Sequence, residues 1–381
     1  MSRDPFHAVP DGAALYFHVP FCEAVCDFCA FAKALPGPGD WALFREGFEA
    51  EWESLCFEGS VASVFWGGGT PGLLKAADIV RFGEPFRRVL RDGGEWTVEL
   101  TPRCPTREKL AAWREAGVNR LSMGVQSFSP RLLQAMGRPH GVDRVPATVA
   151  KIRGAGFANL NIDLIIAYPG QTAEELEEDV RRVLALEPEH VSVYCLTLEE
   201  DTALYARLVR DGAGGDPEDE ADLYERAWAR LGEGGYRQYE ISNFARPGFE
   251  CAHHLNVWTM GRWRGIGPSA ASQLKGLRFR NPHELSLWHR DVTGGRSDGF
   301  EDVVRLPEKE IIREEIVFGL RMNRGVPASA LSRLDERGRR WVARLFARLA
   351  EEGRMVLEED RYRLTLSGRL VADEISRWIL G

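Results

Sequence analysis

Six short apolar runs, each followed by a stretch with helical spacing, constrain this chain more than any other feature. The runs are Ala13 to Val19, Val61 to Trp66, Trp96 to Leu100, Leu121 to Val125, Asn161 to Ile166 and Val191 to Leu196. Between the first two, Trp41, Phe44, Phe48, Trp52 and Leu55 recur at helical intervals behind Asp40, a predicted N-cap. Ser129-Pro130 reads as an N-cap with proline at the first helical position, and Thr172 with Glu175 as a capping box. Strands alternating with helices imply an α/β fold with a parallel sheet covered by helices. Right-handed crossovers would curl such a sheet into a full or partial barrel, and a flat doubly wound sheet competes with that reading.

The pattern changes after Gly234. Tyr236 to Ser242 reads as one more strand, and residues 243–300 are rich in Gly, His, Trp and Arg without clear periodicity. From about Pro307 the spacing is helical again. Met355 to Leu357 and Arg361 to Leu366 then flank a Glu-Glu-Asp turn, as in a small hairpin. This predicts three parts: a βα core over 1–235, a connecting region over 236–300, and a mostly helical, winged-helix-like domain over 301–381.

Seven cysteines stand at 22, 26, 29, 56, 104, 195 and 251. An odd number in a long chain is poor disulfide arithmetic, and three of them fall within eight residues. The 49 basic and 57 acidic residues leave a net charge of −8, which argues against a nucleic-acid partner. No apolar stretch approaches the roughly 20 residues of a membrane span. The start, Met1-Ser2-Arg3-Asp4-Pro5, has no apolar run after its charge, so a cytoplasmic chain with reduced thiols is expected.

The trio Cys22, Cys26 and Cys29 has the spacing CxxxCxxC and directly follows the first strand. Three thiolates at one point repel unless a metal or cluster neutralises them. A structural zinc takes four ligands, and no fourth follows nearby. Three cysteines suit a four-iron cluster that keeps one iron open. Gly67-Gly68-Gly69 ends the second strand without side chains, so backbone can approach a ligand there. Glu99, Gln126 and Asp163 are polar residues at or near strand ends, where barrel active sites form.

CxxxCxxC after the first strand of a βα-repeat chain resembles the radical S-adenosylmethionine (SAM) superfamily. In that family the amino and carboxylate groups of SAM chelate the open iron of a [4Fe–4S] cluster. One electron then cleaves the sulfonium to a 5′-deoxyadenosyl radical, on a partial or complete parallel βα barrel. Four further stretches, Leu15 to Cys22, Phe65 to Pro71, Met123 to Phe128 and Tyr239 to Phe244, resemble the branch holding oxygen-independent coproporphyrinogen dehydrogenase and the heme chaperones. The resemblance implies a partial (β/α)6 barrel. It also implies SAM contacts at Tyr16, Phe28, Gly68, Gly69, Thr70, Glu99, Gln126, Arg138 and Asp163, with the cluster on Cys22, Cys26 and Cys29.

The dehydrogenase pattern continues as CxxxCxxCxC, whereas here Cys29 is followed by Ala30 and Phe31. This favours the chaperone side, on which decarboxylation of coproporphyrinogen is absent. Cys251-Ala252-His253-His254-Leu255-Asn256-Val257-Trp258 resembles the chaperone's heme-associated HNxxYW motif, with His254 in place of asparagine and Val257 in place of tyrosine. His253, His254 or Cys251 could each ligate iron, and tryptophan offers an apolar face to a porphyrin. The implied partners are heme, a heme-accepting respiratory apoprotein and an electron donor, with membrane association only through the acceptor.

Overall fold

A computed structural model describes residues 4–211, 217–295 and 299–381. The six apolar runs form strands β1 (Ala14–Val19), β2 (Val61–Gly68), β3 (Leu90–Leu100), β4 (Arg120–Gln126), β5 (Leu160–Ile166) and β6 (His190–Cys195). All five neighbouring pairs are parallel, and the order in the sheet is the order in the chain. A doubly wound sheet reverses its order at a switch point. Consecutive order with crossovers of one hand instead puts every helix on the same face, and the sheet curls around the other. The chain is therefore a partial barrel.

The sheet is wider than the sequence pattern implied. Residues 236–300 add β7 (Arg237–Glu240), β8 (Asn243–Ala245), β9 (Trp263–Ile266), β10 (Ala271–Leu274) and β11 (Leu277–Arg280), and Glu301–Arg305 adds β12. Beta-8 and β7 extend the β6 edge in antiparallel fashion. On the other side β9 lies parallel to β1, and β10, β11 and β12 follow as an antiparallel meander. Among the described residues this makes one twelve-stranded sheet. The connecting region is thus mainly an extension of the barrel wall. Its strands hold only three to five residues each, too short for alternation to register.

Side chains alternate across the wall. Phe17, Trp66, Val98, Met123, Ile162 and Val193 point outward and are buried beneath the helices. Phe17 meets Phe48 at 5.1 Å and Trp66 at 5.2 Å, and Phe48 meets Phe82 at 4.8 Å, tying helices Asp40–Ser54 and Ala76–Val89 to the sheet. Each such side chain contributes about 1.5–3 kcal/mol on burial. The inward set is mostly polar: Tyr16 and His18, Glu95, Thr97 and Glu99, Arg120 and Ser122, Asn161 and Asp163, His190 and Ser192.

Local signals behave as read, with one shift. Thr172 and Glu175 form the capping box, and Ser129 caps a helix that starts with Pro130. Asp40 is the first helical residue rather than the N-cap, which is Gly39. In the C-terminal part, helices Glu308–Arg321 and Glu336–Glu351 pack with a three-stranded sheet, Val326–Pro327, Met355–Glu358 and Arg361–Leu364. Its order, with the last strand between the other two, is that of a winged helix. An ion pair from Arg321 to Glu240 (3.0 Å) docks it on the barrel.

Candidate functional site

The cluster loop leaves the C-terminal end of β1 and returns along it. Cys22 N–H donates to Ala34 O (2.9 Å) and Ala34 N–H to Pro20 O (2.8 Å), which closes the loop at its base. Its tip is held from the far side of the barrel. Asp27 N–H bonds Met136 O (3.2 Å), Leu204 N–H bonds Asp27 O (2.9 Å), and the Asp27 carboxylate pairs with Arg207 at 2.7 Å. Phe28 packs with the apolar cluster of Leu132, Met136, Ile165, Tyr168, Leu204 and Leu208. The three thiols are thereby presented to the barrel mouth on a fixed backbone. Cys22 is buried, and its Sγ lies 3.6 Å from Thr70 Oγ1. Burial pushes the Cys22 thiol up, the Thr70 contact opposes this, and Cys29 and Cys26 push it up further. Arg138 Nη1–H reaches Cys26 Sγ at 3.4 Å, and its other arm holds Gly124 O.

One cavity of about 430 Å³ brings the sequence-predicted set together. Cys22, Cys26, Phe28, Cys29, Gly68, Gly69, Thr70, Glu99, Gln126, Arg138 and Asp163 all line it. The glycines are required by their neighbours. Gly68 has φ +103°, and a Cβ there would fall 2.5 Å from the His18 ring. At Gly69 it would fall 2.6 Å from Phe21 O. Gln126 reaches the mouth by a left-handed φ of 71° at a bulge between β4 and β5, strain of about 1–3 kcal/mol. Asp179 braces that bend from behind, accepting from Ser127 Oγ (2.8 Å) and Phe128 N–H (2.5 Å).

Tyr16 does not line the cavity. Its hydroxyl meets His18 Nδ1 at 3.1 Å one layer deeper, and His18 Nε2 meets Ala32 O at 2.9 Å. His18 thus braces the cluster loop, as a scaffold residue would.

His253 and His254 stand at the opposite end of the barrel. They lie on helix Ala252–Trp258, here the floor helix, which enters β9 beside the start of β1. The Glu95 carboxylate accepts from Ala252 N–H (3.1 Å), His253 N–H (3.4 Å) and Cys251 Sγ (3.3 Å). His253 is buried with its ring 4.9 Å from Phe65 and 6.2 Å from Tyr16, while half-buried His254 is 5.7 Å from Phe65. Burial, with the Arg120 guanidinium adding to it, lowers both imidazoles, His253 to about 4, so both are neutral at neutral pH. Burial pushes the Cys251 thiol up to about 12.

Sequence reasoning singled out Asp163 but missed its partners on the same inner face. Asn161 donates to Asp163 (2.7 Å) and to Ser122 (2.7 Å), and its carbonyl meets His190 Nδ1 at 2.6 Å. His190 Nε2 meets the Tyr239 hydroxyl at 2.9 Å. The alternation of Asn161 with Asp163, Arg120 with Ser122 and His190 with Ser192 carried that signal. Among the scattered cysteines, Cys104 is buried against Thr101 Oγ1 (3.2 Å) below the cavity, a packing role.

The comparisons with known proteins agree with this geometry. Residues 16–183 match the radical SAM superfamily, and residues 306–371 match the HemN C-terminal domain. The heme chaperone HemW of Lactococcus lactis is 36% identical over 82% of this chain and 82% of its own length. That of Bacillus subtilis is 34% identical over 82% and 84%. This chain belongs to the HemW family of radical SAM proteins. Among solved structures, the HemW-like fold superposes on coproporphyrinogen III oxidase (HemN) of Escherichia coli with a TM-score of 0.83 at 25% identity. The match covers 99% of this chain and 91% of that one. Membership in the radical SAM superfamily implies a [4Fe–4S] cluster and SAM. The donor set fits them: three free thiols open on one cavity, with Arg138 beside one of them to offset thiolate charge. Among the described residues no group of three His, Cys, Asp or Glu is placed to hold a single metal ion, and a cubane spreads its ligands over separate corners.

Glu99 gives the cavity a pH dependence. Burial pushes its carboxyl up to about 8, the Asp163 carboxylate adds to this, and Gly68 N–H at 3.2 Å opposes it. Glu99 is therefore largely neutral at pH 7, and a cationic ligand that needs the carboxylate must expel a proton. SAM affinity should rise between pH 7 and 9, with proton release seen as buffer-dependent calorimetric heat. Glu99→Gln should flatten the profile and weaken binding about tenfold or more. Equal heats in buffers of different ionisation enthalpy would show that SAM does not draw on the Glu99 carboxylate. The same shift bears on folding. The ordinary value is 4.5, so the contribution of Glu99 to stability is full below that pH and is lost as pH rises through about 8.

Proposed function

We propose that this chain is a radical SAM heme chaperone that binds heme and delivers it to a respiratory apoprotein from the cytoplasm. Cys22, Cys26 and Cys29 hold the [4Fe–4S] cluster. Gly68, Gly69, Thr70, Glu99, Gln126, Arg138 and Asp163 enclose SAM, with Phe28 at the side and Tyr16 beneath. When bound, the cluster supplies an electron to the sulfonium of SAM, and an external donor must recharge it. His253 and His254 are the heme ligand candidates. One observation carries the reading: relatives named heme chaperones match over four-fifths of both chains, in a protein whose position 31 is phenylalanine. No helix among the described residues is long and apolar enough to cross a membrane, so contact with a membrane-bound acceptor would be peripheral.

The whole-chain superposition on HemN favours a second reading, oxidative decarboxylation of coproporphyrinogen III. The two separate on one anaerobic preparation with reconstituted cluster, SAM and reductant. The chaperone reading expects no protoporphyrinogen and a Soret shift with hemin. Turnover of coproporphyrinogen III would overturn it in favour of the oxidase. A Soret shift unchanged by His253→Ala with His254→Ala would remove those two residues from the heme site.

A further inference from the structure

The wall of the cluster cavity carries two cations, Lys33 and Arg138. Arg138 is taken up by Cys26 Sγ and Gly124 O. Lys33 meets neither sulfur nor carboxylate. Its ammonium donates to two carbonyls of its own loop, Cys29 O and Phe31 O, the second at 3.2 Å. Among the described residues no carboxylate forms an ion pair with it. The acidic groups of the same cavity are committed elsewhere. Glu23 pairs with Arg103 at 3.5 Å, Asp163 accepts from Asn161 and Ser122, and Glu99 is largely neutral at pH 7. Glu199 stands on the loop that follows β6.

The ammonium is fixed where it stands. The returning limb of the cluster loop is tied on both sides of it: His18 Nε2 meets Ala32 O at 2.9 Å, and Ala34 exchanges backbone bonds with Pro20 and Cys22. The Lys33 side chain is half-buried, so water and salt screen its charge only in part. That charge reaches the sulfurs. Burial pushes the Cys22 thiol up, the Thr70 contact opposes this, and Lys33 opposes it as well.

An ammonium held by neutral carbonyls keeps its charge uncompensated. Lys33 therefore faces, across one cavity, the three thiols on which negative charge would gather. Net charge around an iron–sulfur cluster helps set how readily it takes an electron. A fixed cation nearby favours the more negative, reduced form. We propose that Lys33 positions a charge for electron uptake, raising the reduction potential of a cluster held by Cys22, Cys26 and Cys29. This rests on the cluster reading above, and it adds a residue that neither the cysteine spacing nor the family resemblance assigns. The step is a one-electron transfer. An external carrier, a reduced flavin or iron–sulfur protein, loses one electron to the cluster, and no bond forms or breaks. Arg138 also offsets charge, but it belongs to the proposed SAM set, so Lys33 is the cation whose effect can be separated from SAM binding.

The test is a redox titration of the full-length protein, reconstituted anaerobically without SAM and followed by the electron paramagnetic signal of the reduced cluster. Lys33→Gln keeps N–H donors for the loop carbonyls and removes the charge. Lys33→Met removes both, and Lys33→Arg keeps the charge. The two neutral variants are expected to hold four irons and to be about tenfold harder to reduce, a midpoint about 59 mV lower for one electron. Lys33→Arg should restore the wild-type midpoint. A residue that only braced the loop would change iron content and leave the midpoint where it was. An unchanged midpoint in both neutral variants at full iron content would overturn the role of Lys33 and leave the cluster ligands standing. A wild type that takes up no cluster would overturn both. If Lys33→Met alone loses its iron, Lys33→Gln decides. If both lose it, the ammonium is needed to assemble the loop before any reduction, and the proposal falls.

Discussion

Replacing Cys26 with alanine is expected to abolish the electron paramagnetic signal of the reduced cluster and all SAM cleavage, while the fold stays intact. The thiol sits on a half-buried loop whose backbone is held at Pro20, Met136 and Leu204, not through sulfur. Its side chain meets Arg138, which keeps its bond to Gly124 O without it. Losing Sγ should therefore cost the apo-protein within about 0.5 kcal/mol, a melting shift of no more than about 2 °C. The comparison must be made between apo forms, because a bound cluster stabilises the wild type by mass action. A variant that still takes up four irons and cleaves SAM would show that Cys26 is not a cluster ligand. A variant that melts many degrees lower would show that the loop depends on the thiol for its shape.

Glu51→Ala should have the largest effect on stability of any single change considered, about 3–5 kcal/mol. Glu51 is 2% exposed on helix Asp40–Ser54. Its carboxylate accepts from Arg264 Nη2 (3.3 Å), Gly267 N (2.8 Å), Asn281 Nδ2 (2.8 Å) and Trp288 Nε1 (3.0 Å). Alanine would take the counter-charge from the buried Arg264 guanidinium, which keeps only Gly265 O and Ser272 Oγ, and one acceptor from each of Gly267 N, Asn281 Nδ2 and Trp288 Nε1. These donors lie on and around β9 and β11, so the damage falls where the extension strands join β1. Chemical denaturation of the apo-protein should show the loss as a lower midpoint. Glu51→Gln keeps acceptor capacity at one oxygen but leaves Arg264 uncompensated, so it should lie between the two. A loss below about 1 kcal/mol for alanine would mean that the β9 to β11 extension is not held by this carboxylate.

The two experiments probe features of different legibility. Cys22, Cys26 and Cys29 are readable because eight consecutive residues contain all three, and local spacing is enough to imply a cluster. Glu51 is not. Its partner Arg264 is 213 residues away, and neither stands out in a chain where 28% of residues are charged. The floor of the barrel was equally hidden. Arg120, Asn161 and His190 come from three strands, and only the parallel register Asn161–His190 and Ser122–Asn161 brings them onto one face. The heme-like motif was visible as letters, but its place was not. His253 and His254 were expected in an irregular segment, and they lie on a short helix that closes the end of the barrel away from the cluster.

The sequence by itself determined the strand-helix alternation, the helix caps at Ser129 and Thr172, the grouping of three thiols in one loop and the glycine-lined end of β2. All of these are set by interactions between residues a few positions apart, through backbone preference, apolar period or ligand spacing. Tertiary structure decided the barrel in place of the flat sheet, the twelve-strand width, the convergence of eleven predicted site residues on one cavity and the withdrawal of Tyr16 beneath it. It also separated the two histidines from the cluster by the depth of the barrel. Strand order and register depend on pairings between distant segments, and a period-two pattern says which residues share a face without saying what that face encloses.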